Sequence, residues 1–483
     1  MTLTTQHFIA LLPLIITSAT AVLVMLSTAV RRNHWWNATL TVVGLNLALI
    51  SVYFVTKVTP IEVTPLLVVD GYACFYMAMV LIATLGCATL AHAYMEGYTG
   101  NREELYLLLI LAAAGGLVLA CSRHLASLFI GLELLSVPMF AMAAYTFRDK
   151  RSLEAGTKYL VLSALASALL LFGMALLYAQ AGSLSFAAIG HQAAANISSP
   201  LVLVGIGLML TGLGFKLSVA PFHLWTPDVY EGAPAPVGAF LATTSKVAVF
   251  AVLLRFLAEA PGAHDGVLRD ILAVIAALSI LIGNLLAVSQ TNLKRLLGYS
   301  SVAHFGYVLV AVVSGVDISV EAVGAYLLTY LVTTMGAFGV VALMSSPYRG
   351  HDADAIVHYR GLFWKRPMLT AVLTAMLLSL AGIPVTAGFI GKFYIVAAGV
   401  DADLWWLLGI VVVGSAIGLY YYLRVAVTLF LTEPGMRRYD APFHWGQRAG
   451  GVMVLVMTAL MFLLGIYPQP LLTLIQSAGI ASL

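Results

Sequence analysis

The chain has 483 residues, of which 61% are hydrophobic and 9% are charged, and its mean hydropathy is +0.99. Soluble domains contain about 45–50% apolar and about 25% charged residues, so this composition excludes a soluble protein. The net charge of +3 says little about partners, because in a membrane protein the position of a charge matters more than the sum. We expect an all-α polytopic membrane protein that contacts lipids and binds no nucleic acid.

The apolar residues form runs long enough to cross a membrane as helices, each of which needs about 20 residues. Strands of a membrane barrel would instead give short alternating runs. Because Arg31 and Arg32 follow the first run, we expect it to remain as a span, since a cleavable signal carries its charges before the apolar stretch. The sequence predicts fourteen spans, near 7–30, 37–56, 71–95, 104–121, 125–147, 152–180, 200–225, 233–257, 267–288, 294–314, 321–344, 367–400, 404–431 and 449–475.

The basic residues of the loops are unequally divided between the two faces of this arrangement. One face, called the basic face below, holds Arg31, Arg32, Arg102, Arg148, Lys150, Arg151, Lys294, Arg295, Arg349, Arg360, Lys365, Arg366, Arg437, Arg438 and Arg448. The opposite face holds Lys57, Arg123, Arg255 and Arg269. Since positive charge concentrates in cytoplasmic loops, we expect the basic face to be cytoplasmic and both termini to be periplasmic.

Six charged residues remain inside spans, where a charge costs at least ~2.5–3.5 kcal/mol. They are Lys158, Lys216, Lys246, Lys392, Arg424 and Glu133. Arg424 lies near a span end and can extend its guanidinium to the membrane surface. Lys158 follows Glu154 by four residues, so a local ion pair explains it as well as a functional role does.

The other four charges lie deep within their spans, and we expect them to carry out proton transfer. Burial disfavours a charged lysine whereas a nearby carboxylate favours it, so a lysine between these influences can change its protonation when its partner moves. Glu133 and Lys216 are the expected pair, with Lys246 and Lys392 as further stations. The structural alternative is an ion pair that only fixes helix register.

Proline and glycine interrupt two spans close to these lysines, at Pro221 and at Gly382, Pro384 and Gly388. Irregular backbone at membrane depth needs protein or water to satisfy it. Each interrupted span is the fourth of five, which predicts two inverted five-helix repeats, 104–257 and 267–431, preceded by three spans in 1–103 and followed by a cytoplasmic loop and helix in 432–483. The alternative is that the prolines merely adjust packing.

Three further residues are weaker candidates for the relay. His223 and His304 carry imidazoles that titrate near neutrality, although a buried histidine is more often structural. Lys294 lies at a boundary of the basic face and can be an ordinary loop charge. No CxxC pair joins the three cysteines and no nucleotide-binding motif is present, so we expect no metal and no cofactor in this chain, and an energy source in another subunit.

Three segments, "GLGFKLSVAPFHLWTPDVYEGAPAPV", "SQTNLKRLLGYSSVAHFGY" and "LSLAGIPVTAGFIGKF", resemble the antiporter-like membrane subunits of respiratory complex I (NADH–quinone oxidoreductase). The resemblance covers nearly the whole chain. It implies a proton-translocating subunit of the bacterial inner membrane, in which Glu133 and Lys216 are paired, Lys246 is the central relay and Lys392 is the outlet. Lys158 also matches a family position, and a lysine at 392 differs from the glutamate that is typical of subunit M.

The same resemblance implies that NADH, FMN, iron–sulfur clusters and quinone belong to other subunits. It implies as partners the antiporter-like subunit M, small subunits such as K, and the lateral helix of subunit L. Alternatives are a cation/proton antiporter subunit of the Mrp type, the membrane subunit of a related hydrogenase complex, or a passive scaffold whose charges only support assembly.

Overall fold

The chain folds almost entirely into helices that pack in one bundle. The computed structural model describes residues 4–195, 199–259, 266–432 and 445–479. The N-terminal part contains α1 Thr5–Ala10, α2 Leu12–Val30, α3 His34–Val55, strands β1 Ile61–Thr64 and β2 Leu67–Val69, and α4 Gly71–Met95. The antiparallel hairpin, with Ile61 opposite Val69, was not anticipated from the sequence.

The next part comprises eight helices that end with a fully enclosed pair. They are α5 Glu104–Cys121, α6 Leu125–Ala143, α7 Lys150–Ala181, α8 Phe186–Ala195, α9 Pro200–Leu217, α10 Trp225–Gly232, α11 Ala235–Ala242 and α12 Thr244–Glu259. Ala235–Glu259 lies at the centre of the bundle, whereas Leu12–Val30 and Ala449–Ile466 lie at its edge.

The remaining helices complete the bundle around this centre. They are α13 Val267–Val288, α14 Leu293–Ser314, α15 Val316–Met344, α16 Leu362–Lys365, α17 Pro367–Ala381, α18 Ala387–Asp401, α19 Trp405–Phe430, α20 Trp445–Ile466 and α21 Gln469–Ser477, with a 3₁₀ turn at Ile356–Tyr359. Part of the predicted loop in 432–483, including Arg437 and Arg438, lies outside the described residues, and so does the side chain of Arg448.

Among the described residues, thirteen helices are long and apolar enough to cross a membrane. The difference from fourteen lies in the predicted span 367–400, which is divided into α17 and α18 with 15 residues each, so that neither counts alone. The predicted span 200–225 is also interrupted, since α9 ends at Leu217 and α10 begins at Trp225. A third interruption, at Thr243 between α11 and α12, was missed because no proline or glycine marks it.

Each of the two predicted five-helix units contains one isolated backbone bridge, and the two bridges lie at corresponding places. The residue before α6, His124, forms an isolated bridge with Ser185, and the residue before α14, Asn292, forms one with Ala355. In each half the second helix of the five is thereby joined to the segment that follows the third. This agreement is what two copies of one unit would produce, while their inverted relation stays a prediction.

The structure corrects the sequence interpretation of Arg255, which was assigned to a loop of the opposite face. Arg255 lies inside α12, is fully buried, and forms a bidentate pair with Asp70, at 2.8 Å and 2.9 Å. Asp70 also accepts a bond from the Ala73 amide and so caps α4. This buried pair joins the N-terminal helices to the centre of the bundle.

Candidate functional site

The interruption after α9 exposes backbone carbonyls that bind a buried lysine. Since α9 ends at Leu217, the carbonyls of its last turn lack intrahelical partners. The Lys246 ammonium on α12 donates to the carbonyl of Lys216 at 2.7 Å and to the Ser218 hydroxyl. Trp225 donates to the Phe215 carbonyl at 3.0 Å, and its ring lies 5.0 Å from the Lys246 ammonium. The negative end of the α9 dipole thus faces the positive charge of Lys246.

The second interruption repeats this arrangement with another lysine. The helix α17 ends at Ala381, and Gly382 follows in the left-handed conformation with φ 85°. The ammonium of Lys392, one turn into α18, donates to the Ala381 carbonyl at 2.9 Å. It also lies 5.2 Å above the ring of Tyr307. At each interruption, a backbone carbonyl at the C-terminal end of the helix therefore accepts a hydrogen bond from a lysine ammonium.

Glu133 and Lys216 do not touch, although the sequence predicts them as a pair. The Lys216 ammonium donates to Ser136 and Ser163, both at 2.6 Å, while Glu133 accepts from Ser167 at 2.6 Å. In the described part of the chain no ion pair within 4.0 Å joins Glu133 to Lys216. Ser136 lies three residues from Glu133 along α6, and Ser163 lies four residues from Ser167 along α7, so Glu133 and Lys216 bind serines on adjacent turns of the same two helices.

His304 connects the second interruption to the centre of the bundle through tyrosines. Its Nδ1 lies 2.6 Å from the Tyr326 hydroxyl and its Nε2 lies 3.1 Å from the Tyr422 hydroxyl. Tyr422 in turn shares a hydrogen bond with Ser300. The neighbouring residue, Phe305, places its ring 5.6 Å from the Lys246 ammonium. His304 therefore lies within a hydroxyl network on α14, and its sequence neighbour Phe305 lies near Lys246.

His223 lies in the segment between α9 and α10 and is 4% exposed. In the described structure neither ring nitrogen has a hydrogen-bonded protein partner. The nearest aromatic ring is that of Tyr299, 6.5 Å away. The structure thus places His223 beside the first interruption but does not join it to Lys216 or Lys246.

The remaining sequence candidates lie toward the basic face. Lys158 forms the expected ion pair with Glu154 at 2.5 Å and a second one with Asp228 at 2.8 Å. Burial by itself raises the pKa of Asp228, but hydrogen bonds from Lys158 and Arg295 hold that pKa below its ordinary value. Lys158 thus belongs to a network of ion pairs and not to the buried series.

Arg424 and Lys294 differ in the partners that their charged groups bind. Arg424 donates to the carbonyls of Val288, at 2.6 Å, and Gln290, at 2.7 Å, at the end of α13. These bonds satisfy the guanidinium within the protein, and its extension toward the membrane surface stays a prediction. Lys294 is 2% exposed and bonds to Asp352 at 2.5 Å, so its interpretation as an ordinary loop charge is wrong.

Comparison with known proteins decides the family. The profile of the family described as NADH:quinone oxidoreductase/Mrp antiporter, TM, matches residues 122–418. The chain belongs to this family. A relative named NADH-quinone oxidoreductase subunit N, from Ectopseudomonas mendocina (strain ymp), is 64% identical over 99% of this chain and 98% of its own.

Two solved structures extend the comparison of this family member. A chain of respiratory complex I from Thermus thermophilus with bound aureothin is 36% identical, with a TM-score of 0.82, over 97% of this chain and 100% of that one. A chain of the Mrp complex from Dietzia sp. DQ12-45-1b has a TM-score of 0.85 at 22% identity, over 98% of this chain and 97% of that one, and shows the shared fold.

The site of this NADH:quinone oxidoreductase/Mrp antiporter family member contains residues that sequence reasoning missed. Ser136, Ser163 and Ser218 bind the buried ammonium groups, but a serine in an apolar helix gives no signal by itself. A sequence does not show which backbone carbonyls bind a side chain, so the roles of the Lys216 and Ala381 carbonyls were not predicted. The predicted helix interruptions beside them were the only indirect indication. Among the described residues, no group of three His, Cys, Asp or Glu side chains is arranged to hold a metal ion.

Proposed function

We propose that this chain is a proton-translocating membrane subunit of an NADH–quinone oxidoreductase, equivalent to subunit N. Electron transfer from NADH to quinone takes place in other subunits and drives proton transfer through this one. The family membership and the 64% identity to a subunit N support the assignment. No redox group is assigned to this chain.

One observation carries the mechanism: the buried lysines bind neutral oxygens. Lys216 binds two serines, Lys246 a serine and a carbonyl, and Lys392 a carbonyl. Hydroxyl and carbonyl oxygens accept from an ammonium and from a neutral amine alike. Each lysine can therefore gain or lose its proton without leaving its position.

The order of the stations follows from their contacts. Glu133, which lies one turn along α6 from the Ser136 that binds Lys216, tunes the protonation of that lysine when the separation of the two charges changes. Lys216 adjoins Lys246 through its own carbonyl, and Lys246 adjoins α14 at Phe305, the neighbour of His304. His304 interacts electrostatically with Lys392. We propose the sequence Lys216, Lys246, His304, Lys392, with His223 as a side group of the first interruption and Lys158 as a surface collector.

The partners and location belong to the same proposal. The chain lies in the bacterial inner membrane with both termini periplasmic, beside the antiporter-like subunit M, small subunits such as K and the lateral helix of subunit L. The large apolar side chains exposed on α2 and α3, including Leu23, Leu26, Leu47 and Ile50, support contacts with lipid or with such helices.

The test replaces Lys216 and Glu133 separately by alanine in the native membrane. We expect assembled complex that oxidises NADH but pumps fewer protons, measured by a pH-sensitive dye in inverted vesicles. Thr211→Ala is the control, since Thr211 is exposed on the same helix as Lys216 and bonds only to the Gly207 carbonyl of its own helix. Normal pumping by both assembled alanine variants would contradict the relay.

A stand-alone antiporter is distinguished by extraction in mild detergent. The proposal expects the chain to migrate with an NADH-oxidising particle on a native gel. Migration without NADH oxidation would favour an Mrp-type antiporter or a hydrogenase-type complex. Loss of assembly in both alanine variants, with normal pumping by any complex that remains, would favour a scaffold.

A further inference from the structure

A polar pocket opens on the basic face directly above the Lys294 pair. It is small, with about 20 Å³ of space for water, and it is called the Asp352 pocket here. Its lining includes Tyr94, Arg151, Glu231, Lys294, His351 and Asp352. The side chain of Asp352 is 6% exposed and that of Lys294 is 2% exposed, whereas His351 is exposed at the rim. The pocket therefore leads from solvent to a buried carboxylate and a buried ammonium.

The carboxylate is held in position by two side chains, and the residue after it is held by two more. Asp352 accepts from the Tyr94 hydroxyl at 2.6 Å and from the Lys294 ammonium at 2.5 Å. The next residue, Ala353, donates its amide to Ser345 and accepts from the Tyr359 hydroxyl at its carbonyl. These bonds make the Asp352 position a built feature of the fold and not an accident of a surface loop.

Lys294 differs from the other buried lysines in its partners. It binds a full carboxylate and also the carbonyl of Ala233, at 2.8 Å, in the connection between α10 and α11. In the described chain, Lys216, Lys246 and Lys392 form no ion pair within 4.0 Å. A buried ion pair is costly to desolvate, and replacing it by apolar groups is often neutral for stability. Its presence at the floor of an open pocket therefore invites a functional explanation.

A line of hydroxyls leads from this pair toward the centre of the bundle. Lys294, Ser301 and Phe305 lie seven and four residues apart and so share one face of α14. The buried Ser301 hydroxyl faces Tyr230 and Tyr330, and in the described structure the Ser301 and Tyr230 hydroxyls have no hydrogen-bonded protein partner. The Tyr330 ring is 5.2 Å from that of His304 and 5.1 Å from that of Phe305, which contacts Lys246.

We propose that the Asp352 pocket is a proton-uptake site that supplies Lys246 directly from the basic face, by a route that does not pass through Glu133 and Lys216. This inference rests on the proposed function. The Asp352 carboxylate takes one proton from solvent, and Lys294 passes its own proton along the hydroxyls to the neutral amine of Lys246. Lys294 then takes the proton from Asp352, which restores the ion pair and moves one proton inward in total.

The first arm of the test blocks the pocket in the assembled complex. His351→Cys places a thiol at the rim, and inverted vesicles are treated with a bulky, charged methanethiosulfonate reagent. We expect a loss of proton pumping per NADH oxidised, and recovery when a reductant removes the label. Unsubstituted complex treated in the same way is the control, because the chain's own cysteines, Cys74, Cys87 and Cys121, are buried.

The second arm removes the charge of the carboxylate. Asp352→Asn is expected to lose pumping and Asp352→Glu to keep most of it. Glu104→Gln, which removes a carboxylate paired with Arg32 elsewhere on the same face, is expected to pump normally. Should Asp352→Asn fail to assemble, the first arm decides, because it leaves the ion pair intact.

The outcomes separate this inference from the function on which it rests. Full labelling of His351→Cys without loss of pumping, or normal pumping by assembled Asp352→Asn, overturns the uptake site. If Lys216→Ala is impaired at the same time, the proposed function stands. If Lys216→Ala and Glu133→Ala also pump normally, both proposals fail.

Discussion

Lys216 is surrounded by oxygens that carry no formal charge, and this determines what it can do. Its ammonium is held by Ser136 and Ser163, and the ring of Phe140 lies 6.0 Å away. A carboxylate in direct contact would favour the ammonium form strongly. Serine hydroxyls accept from both forms of the lysine, so we expect the more distant Glu133 to influence the balance between them.

The serine contacts provide a test at the scale of a single atom. Ser163→Ala removes one of the two acceptors and leaves a buried donor unsatisfied, which costs about 1–3 kcal/mol, or roughly a 5–150-fold change in an equilibrium. We expect a several-fold fall in NADH-driven pumping with the complex still assembled. Ser163→Thr keeps the hydroxyl and should retain most of the pumping.

Thr157→Ala is the matched control for this series, because Thr157 is exposed on the same helix and bonds to the Leu153 carbonyl. Equal pumping by Ser163→Ala, Thr157→Ala and the unsubstituted complex would show that the hydroxyl at 163 has no part in proton transfer. Initial rates of dye quenching, normalised to NADH oxidation, measure the difference.

The ion pairs of Asp228 predict a dependence of stability on pH. The pKa of Asp228 is lower in the folded protein than its ordinary value, since hydrogen bonds from Lys158 and Arg295 outweigh the effect of burial. A carboxyl with a lowered folded pKa adds stability above its unfolded pKa, about 4, and loses it as the pH falls through the folded value.

We therefore expect Asp228→Asn to lower the thermal stability of the detergent-extracted complex at pH 7. At a pH below 4 the gap between the variant and the unsubstituted complex should narrow. Melting followed by tryptophan fluorescence at the two pH values gives the comparison. A gap that stays constant or widens in acid would show that Asp228 does not stabilise the fold through its charge.

At the scale of the element, both interrupted helices end in the same way and bind a lysine in the same way. Each stops with a residue in the left-handed conformation, Ser218 at φ 61° and Gly382 at φ 85°. The stop frees carbonyls that a lysine from the same or a neighbouring helix binds. The interruption itself therefore forms the binding site for the lysine ammonium group.

Gly382→Ala tests this arrangement at the second interruption. A Cβ at Gly382 would lie 2.8 Å from Cδ of Lys392, and the left-handed conformation costs a non-glycine residue roughly 1–2 kcal/mol. We expect Lys392 to be displaced from the Ala381 carbonyl and pumping to fall while assembly persists. Gly409→Ala, with nothing within 4 Å of its Cβ, is the control and should pump normally.

Sequence patterns predicted the elements that carry the site better than they predicted its contacts. The interruptions at Pro221 and Gly382 could be predicted because proline and glycine are known to break or kink helices. The break at Thr243 has no such marker in the sequence. The serines around Lys216 were missed because their role depends on which faces of α6, α7 and α9 meet.

At the scale of the whole molecule, α12 belongs to the fully buried span at the centre of the bundle. It carries Lys246 toward one side and Arg255 toward the other, nine residues along the helix. Arg255 binds Asp70 at the start of α4 and lies 4.8 Å from the Tyr72 ring. Loop charges and span charges cannot be separated by hydropathy within a few residues of a helix end, which is why the sequence assigned Arg255 to a loop.

This pair predicts how the N-terminal helices are held to the relay. Arg255→Met leaves Asp70 as an uncompensated buried charge, and breaking such a pair costs about 3–5 kcal/mol. We expect a lower melting temperature of the detergent-extracted complex and a lower yield of assembled complex. Lys57→Met, which removes an exposed basic residue of the same face, should melt like the unsubstituted complex.

The double variant Asp70→Leu/Arg255→Met separates a structural role from a role in proton transfer. Apolar groups of similar volume replace a buried ion pair with little loss of stability, but Asp70→Leu also removes the cap of α4, so the double variant should melt between Arg255→Met and the unsubstituted complex. If it also pumps normally, the pair only joins α4 to α12. If it assembles but pumps poorly, the charges of the pair contribute to the relay, with Arg255 acting as a fixed positive charge because its guanidinium stays protonated.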